Sequence, residues 1–146
     1  MDAKNAWIGI KSGLVALGGW IGWALGGWDG FLIALILFMA LDYCTGFMCA
    51  IIEKKLSSEV GFRGIFKKIM ILGLVGIGHA LDTHVIGSGG AIRTMVIFFY
   101  LSNEGLSLLE NVSRAGLPIP EKLKEILSQL RDRGNKNNDE EDSGNG

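Results

Sequence analysis

The first third of the sequence has very little charge. No charged residue lies between Ser12 and Trp28, and Asp42 is the only one between Gly30 and Ile52. Each run is long enough to cross about 30 Å of hydrocarbon as a helix. A soluble domain of 146 residues rarely buries two such runs in succession, so the pattern excludes an ordinary soluble domain. It also disfavours a cleaved signal peptide, because a second apolar run follows the first directly.

The motifs of common catalytic and metal sites are missing as well. The sequence has no phosphate-binding loop, no dinucleotide fingerprint, no nucleophile elbow and no HExxH zinc motif. His79 and His84 lie five residues apart and diverge on a helix. Cys44 and Cys49 have the same spacing inside an apolar run, so buried free thiols are expected rather than a disulfide. These absences favour a protein that is not an enzyme and needs no metal or cofactor.

Two further segments are candidate membrane spans, although both contain polar residues. Residues 68–87 are apolar except around His79, Asp82 and His84. Residues 92–111 have an apolar centre. When the segment is placed on an α-helix, at 100° per residue, the polar side chains in it and next to it fall on one stripe. That stripe predicts a side that faces water or protein. Its members are Arg93, Tyr100, Asn103, Glu104, Ser107, Glu110 or Asn111, and Arg114.

Basic residues outside the spans predict the orientation. They lie before the first span, in the loop between the second and third, and after the fourth. Because short cytoplasmic segments are enriched in Lys and Arg, four spans place all three basic segments and both termini in the cytoplasm, whereas three spans leave one segment outside. The basic and aromatic residues 61–68 resemble a nucleic-acid contact, but beside membrane spans they are better explained by anionic lipid headgroups, so no nucleic-acid partner is expected.

The last part of the chain changes in character. Residues 117–133 predict a cytoplasmic amphipathic helix, because four apolar residues share one face behind Pro120. The polar residues 134–146 predict a disordered tail. Residues 1–116 are the predicted transmembrane domain, with spans at about 10–28, 31–52, 68–87 and 92–111. The predicted fold class is an all-α membrane protein with four transmembrane helices, or three as the alternative.

The first span is rich in glycine. Gly18, Gly22, Gly26 and Gly30 recur every four residues, which places them on one helix face. In lipid, small residues at this spacing let two helix backbones approach closely. The pattern predicts a packing face for self-association. The alternative is that glycine is simply common in membrane helices.

Polar side chains inside the other spans are candidate functional residues, because each must face protein or water rather than lipid. Three hypotheses remain open: the groups pair and hold the helices together, they line a water-filled lumen in an oligomer, or they relay protons. The candidates are Asp42, Thr45 and Gly46, which share a face with Cys49, then His79 and Asp82, and finally Asn103, Glu104 and Ser107.

Three segments resemble the phage lysis and toxin-secretion holins, which are small membrane proteins of phages and prophages of mainly Gram-positive bacteria. They are "LDYCTGFMCAIIEKKLSSEVGFRGIFKK", "ALDTHVIG" and "FYLSNEGLSLLENVSRAGLPIPEKLKEIL". The resemblance runs from about Phe31 to Leu130 and does not include the glycine-rich first span. The matching positions are Asp42, Thr45, Gly46, Ser58, Gly61, Lys67, Asn103, Glu104, Ser107, Glu110, Asn111, Gly116, Pro118 and Pro120.

The resemblance implies a multi-pass protein of the host cytoplasmic membrane that oligomerises at a set time and opens lesions. An endolysin of the same phage would then reach the peptidoglycan without required direct contact, so the expected partners are further copies of the chain and the lipid bilayer. A holin-like exporter of a toxin or enzyme without lysis is an alternative. A small ion or proton channel using Asp42, Asp82 and Glu104 is disfavoured, because no inverted repeat is visible.

Overall fold

The computed structural model describes residues 2–87, 89–126 and 129. No β-strand occurs among these residues, so the all-α fold class is confirmed. Residues 121–126, within the predicted amphipathic segment, are helical. The predicted tail at 134–146 and most of residues 127–133 lie outside the described residues. The long helices are α1 (Ala3–Ala24), α2 (Gly30–Ile52), α3 (Ser58–Leu81) and α4 (Ala91–Arg114), and a π-helical turn, Asp82–Ile86, extends α3.

Local signals in the sequence determine where these helices begin and end. The Asp29 side chain accepts a hydrogen bond from the backbone N–H of Leu32 at 2.8 Å, and Ser57 accepts one from Val60 at 3.2 Å. Such caps satisfy N–H groups that have no partner inside the helix. Beyond α1, Gly26 has a φ of 85°, a backbone conformation that ends a helix and that glycine adopts without strain.

Two helical segments are long and apolar enough to cross a membrane, namely Gly30–Ile52 and Ser58–Ile86. Only 17% and 22% of their most apolar windows are buried inside the protein, so most of their apolar side chains face outward. The helices α1 and α4 are of similar length but are not among these candidates. Lysines interrupt α1, and α4 contains two arginines and two glutamates.

The helices α2 and α3 both pack against α4, which is the centre of the bundle. Their buried apolar core is Leu25, Leu32, Leu35, Met39, Ile71, Val75 and Ile97. The helix α1 contributes little to it, because Gly22 is its only buried residue. Large side chains such as Trp7, Val15 and Trp23 are therefore not covered by the described protein.

The predicted glycine face is wrong as a single helical surface. Gly18 and Gly22 lie in α1, but that helix ends at Ala24, and Gly30 is already the first residue of α2. The physical reason is the left-handed backbone at Gly26, which breaks the helix inside the predicted repeat. A Cβ atom added at Gly26 would lie within 3 Å of the His79 and Arg93 side chains, so this glycine allows a close contact within the chain.

Gly22 likewise has a partner within the chain. The indole of Trp28 folds back along α1, and its Nε1 donates a hydrogen bond to the carbonyl oxygen of Gly18 at 3.1 Å. A Cβ atom at Gly22 would collide with the Trp28 ring, whereas one at Gly19 would meet open space. The absence of a side chain at Gly22 thus makes room for Trp28.

Substituting Gly22 by leucine should therefore displace Trp28 and lower the free energy of unfolding by about 1–3 kcal/mol, the usual cost of overpacking. The measurement is thermal unfolding of the detergent-solubilised protein. Gly19→Leu is the matched control and should not lower the melting temperature, because the space around Gly19 is open and leucine favours the helix more than glycine does. Equal melting temperatures for both variants would show that Trp28 does not depend on Gly22.

Candidate functional site

Three charged side chains meet half-way along the bundle. Asp42, Lys68 and Glu104 come from α2, α3 and α4, and each lies about 18–20 Å from the end of the bundle that contains Asp29, at 1.5 Å of rise per residue. Lys68 Nζ donates to Asp42 Oδ2 at 2.8 Å and also to Glu104 Oε2. The Glu104 side chain is only 4% exposed. We call these residues the central triad. It pairs charges that would be costly to leave unpaired away from water.

Asn111 of α4 joins the central triad to the next turn of α2. Its Nδ2 donates to Asp42 Oδ1 at 3.0 Å and lies 3.3 Å from Thr45 Oγ1. The Cys49 thiol donates to the Asn111 carbonyl oxygen at 3.2 Å. A Cβ atom added at Gly46 would lie 3.4 Å from Asn111 Nδ2, so glycine lets the amide approach α2. The structure therefore brings the Asp42, Thr45, Gly46 and Cys49 face of α2 against one residue of α4, whose side chain contacts Asp42 and Thr45 and whose backbone carbonyl contacts Cys49. Cys44 is exposed, contrary to the expected burial of both thiols.

A second ion pair lies where α2 and α4 end. Arg114 donates from Nε and Nη2 to Glu53 Oε1, at 3.0 and 2.5 Å. These hydrogen bonds hold the pKa of the Glu53 carboxyl below its usual range and raise the pKa of the Arg114 guanidinium. Both side chains contact solvent, so the pair adds little stability. The pair lies at the end of the bundle opposite to Asp29.

A second buried cluster, which we call the arginine hub, lies at the opposite end. Arg93 is buried, and its guanidinium donates from Nε to Leu25 O at 2.6 Å, from Nη2 to Gly27 O at 3.0 Å and from Nη1 to Asp29 Oδ2 at 2.5 Å. It thus satisfies backbone carbonyls at the C-terminal end of α1. The hydrogen bond from Arg93 lowers the pKa of Asp29. One side chain of α4 therefore fixes the turn between α1 and α2.

Asp82 completes the arginine hub from α3. Its carboxylate accepts the backbone N–H groups of Ile92 at 3.0 Å and Arg93 at 2.8 Å, at the N-terminus of α4, where a negative charge is favourable. Gly78 lets α3 approach this point, because a Cβ atom there would lie 3.0 Å from Arg93 Cα. A cavity at this end of the bundle is lined by Asp82 and Arg93, and His79 also lines it. Among the described residues, no group of three or more His, Cys, Asp or Glu is placed to hold a metal ion.

The other predicted residues lie beside the central triad or beyond the end of α4. Asn103, Ser107 and Glu110 line a groove at the side of α4, together with Lys67 and with Glu104 of the central triad. Gly116 has a φ of 84° and ends α4. Pro118 and Pro120 follow in the extended segment before the helical residues 121–126. The stripe on α4 is therefore divided between the buried interior and the surface.

Sequence reasoning missed the roles of two cations. In the sequence, Lys68 belongs to a basic loop and Arg93 to a polar stripe, and neither pattern predicts the contacts that these side chains make. A usable signal existed for Lys68, because in antiparallel helices it lies at the same depth as Asp42 and Glu104. No such signal existed for Arg93, because its acceptors are mostly backbone carbonyls of a distant turn.

Comparisons with known proteins find one matching family model and several uncharacterized relatives. A model described as the bacteriophage holin family matches residues 19–132. The "uncharacterized 14.9 kDa protein in nagH 3'region" of Clostridium perfringens is 44% identical over 124 residues, which are 85% of this chain and 94% of that protein. An uncharacterized protein of Listeria monocytogenes is 41% identical over 118 residues, 81% and 84% of the two chains. The Bacillus subtilis protein YtkC is 28% identical over 112 residues, 77% and 83% of the two chains. No solved structure matches the chain.

Proposed function

Because this chain belongs to the bacteriophage holin family, we propose that it oligomerises in the cytoplasmic membrane of a bacterial host and opens lesions through which an endolysin reaches the peptidoglycan. The observation that carries the proposal is the family match over residues 19–132. The outward-facing apolar surfaces of α2 and α3 support it, because such surfaces need lipid or further copies of the chain to cover them. Holins are not a family of enzymes, and the proposal needs no catalytic step or cofactor.

The internal pairing of the charges supports a structural role for them. In the single chain, Asp42 and Glu104 both accept from Lys68, and Asp82 accepts from the backbone of α4. These contacts favour the hypothesis that buried polar groups hold the helices together over the hypotheses of a lumen or a proton relay. The helices α2, α3 and α4 then form a closed bundle. The lesion forms between copies of the chain rather than through the middle of one bundle.

Four spans remain our proposal for the topology. The helix α1 has 22 residues and so measures about 33 Å, and Lys11, the lysine deeper in it, reaches back over the Trp7 ring towards the N-terminal end of the helix. The helix α4 contains charges, but Arg93 and Glu104 are both buried and paired, so they do not face lipid. The proposal places both termini in the cytoplasm, as the basic segments favour.

Reporter fusions test this topology. Fusions at the N-terminus, within residues 57–64 and after residue 126 should all report the cytoplasm, and a fusion at Gly87 should report the outside. The reason is that an even number of spans returns the chain to its starting side. An outside signal at the N-terminus alone would support three spans instead.

Lysis in a host cell tests the function itself. An endolysin without an export signal is expressed in bacteria with and without this chain. We expect abrupt lysis only when both proteins are present, because the enzyme then crosses the membrane through the lesion. Release of a toxin or enzyme without lysis would favour the exporter. Loss of ions alone would favour a channel.

A further inference from the structure

A groove between α2 and α3 has features that hole formation does not require. Both helices pack chiefly on α4, and the space between them has a volume of about 400 Å³. It lies where α2 ends and α3 begins, near the connection at residues 53–57. In the proposed topology this is the cytoplasmic side, at the level of the lipid headgroups.

The charges that line the groove favour an anion. Four cationic side chains and two carboxylates line the groove, and Lys68 is also paired with Glu104, which leaves an excess of one positive charge: Lys55, Lys67, Lys68 and Arg114 against Asp42, Glu53 and Glu104. The pair between Lys55 and Glu53 is long, at 3.4 Å, and largely exposed, so Lys55 can exchange it for another anion at little cost. Lys67 is exposed at the side of the groove.

The rest of the lining is apolar and open. Phe47, Leu56 and Val60 line the groove and are exposed. Gly64 leaves room for the Tyr43 ring beside the groove, because a Cβ atom there would lie 3.1 Å from that ring. A ligand with a negatively charged head and a long apolar chain therefore matches the groove better than a free inorganic anion.

We propose that this groove binds one anionic phospholipid, whose phosphate contacts Lys55 and Lys67 and whose acyl chain lies along Phe47, Leu56 and Val60. Basic clefts between membrane helices on the cytoplasmic side are suited to such headgroups. The proposal rests on the proposed membrane topology but not on lysis. It assigns the basic segment before α3 a specific lipid contact rather than a general attraction to the membrane.

Native mass spectrometry of the full chain in mild detergent tests the proposal. The probes are phosphatidylglycerol and phosphatidylcholine with identical acyl chains, added in equal amounts. We expect phosphatidylglycerol to be retained preferentially. Each of Lys55→Gln and Lys67→Gln should weaken that preference about fivefold, and the double variant about 25-fold, from the usual electrostatic contribution of a lysine near an anionic surface.

The control variant removes the same charge outside the groove. Lys4→Gln with Lys54→Gln should retain phosphatidylglycerol like the unmodified chain, because neither residue lines the groove. Equal retention of the two lipids, or an unchanged preference in the Lys55→Gln and Lys67→Gln double variant, would overturn the proposal. Preferential retention of inorganic phosphate over phosphatidylglycerol would also overturn it, since the ligand would then be the free anion. A chain that retains phosphatidylglycerol but releases no endolysin would contradict the proposed function alone.

Discussion

Lys68→Met is expected to lower the free energy of unfolding by about 3–5 kcal/mol and to deplete the protein from the membrane. Methionine occupies a similar volume but donates no hydrogen bond. Asp42 and Glu104 would then be two carboxyl groups facing each other without the ammonium that both contact. Removing one partner of a buried ion pair leaves the other charges uncompensated, and this makes the largest contribution to the loss in free energy of unfolding. The measurements are the amount of protein in the membrane fraction and its thermal unfolding in detergent.

Two comparisons isolate the effect of the central triad. Lys67→Met removes the same charge from the neighbouring exposed position and should have little effect. The triple variant Asp42→Asn, Lys68→Met and Glu104→Gln removes all three charges together and should recover most of the lost stability, because no unpaired charge remains. If Lys68→Met and Lys67→Met were equally abundant and equally stable, the central triad would not hold the helices together.

Arg93→Leu should have the second largest effect, a loss of about 2–3 kcal/mol that comes mainly from two carbonyl groups left without donors. The contribution of Asp29 is smaller, because its side chain is 42% exposed and water screens the charge. Without the guanidinium, the turn after α1 loses its link to α4. We therefore expect faster proteolysis between Leu25 and Asp29, together with a lower melting temperature.

A second replacement at Arg93 tests whether the shape of the guanidinium, and not only its charge, is needed. Arg93→Lys should restore only part of the stability, because one ammonium cannot reproduce the planar fork that contacts Leu25, Gly27 and Asp29 together. Arg63→Leu is the control, since Arg63 pairs only with Glu59 and its side chain is 81% exposed. Proteolysis of Arg93→Leu at the rate of Arg63→Leu would show that the arginine hub does not hold the turn.

Helix positions could be predicted from the sequence because apolar runs and caps are local signals. The apolar run at about 31–52 is helical as α2, whereas the helix of the first apolar run ends at Ala24 rather than near residue 28. The glycine repeat led to a wrong prediction because it, too, is a local signal. A regular spacing does not show that two adjacent glycines turn the backbone out of the helix at Gly26 and Gly27.

The partners of the polar residues were harder to predict, because they depend on how separate helices pack. The sequence identified Asp42 and Glu104 as needing a partner, yet the partner, Lys68, lies 26 and 36 residues away and looks like part of a basic loop. Neither the polar stripe nor the family resemblance predicts the partner of Asn111. Its amide contacts α2 because Gly46 leaves room for it, which is a property of the packed structure.

The most direct test of hole formation is the size of the solute released when this chain alone is expressed in a bacterial host. Cells that contain a folded fluorescent protein are induced, and the medium is assayed for potassium and for fluorescence over time. The proposed function predicts that folded protein appears in the medium abruptly, after a delay during which the chain accumulates in the membrane. If the chain is present in the membrane fraction and the cells lose potassium but retain the fluorescent protein, the chain acts as an ion channel and does not open the proposed lesion.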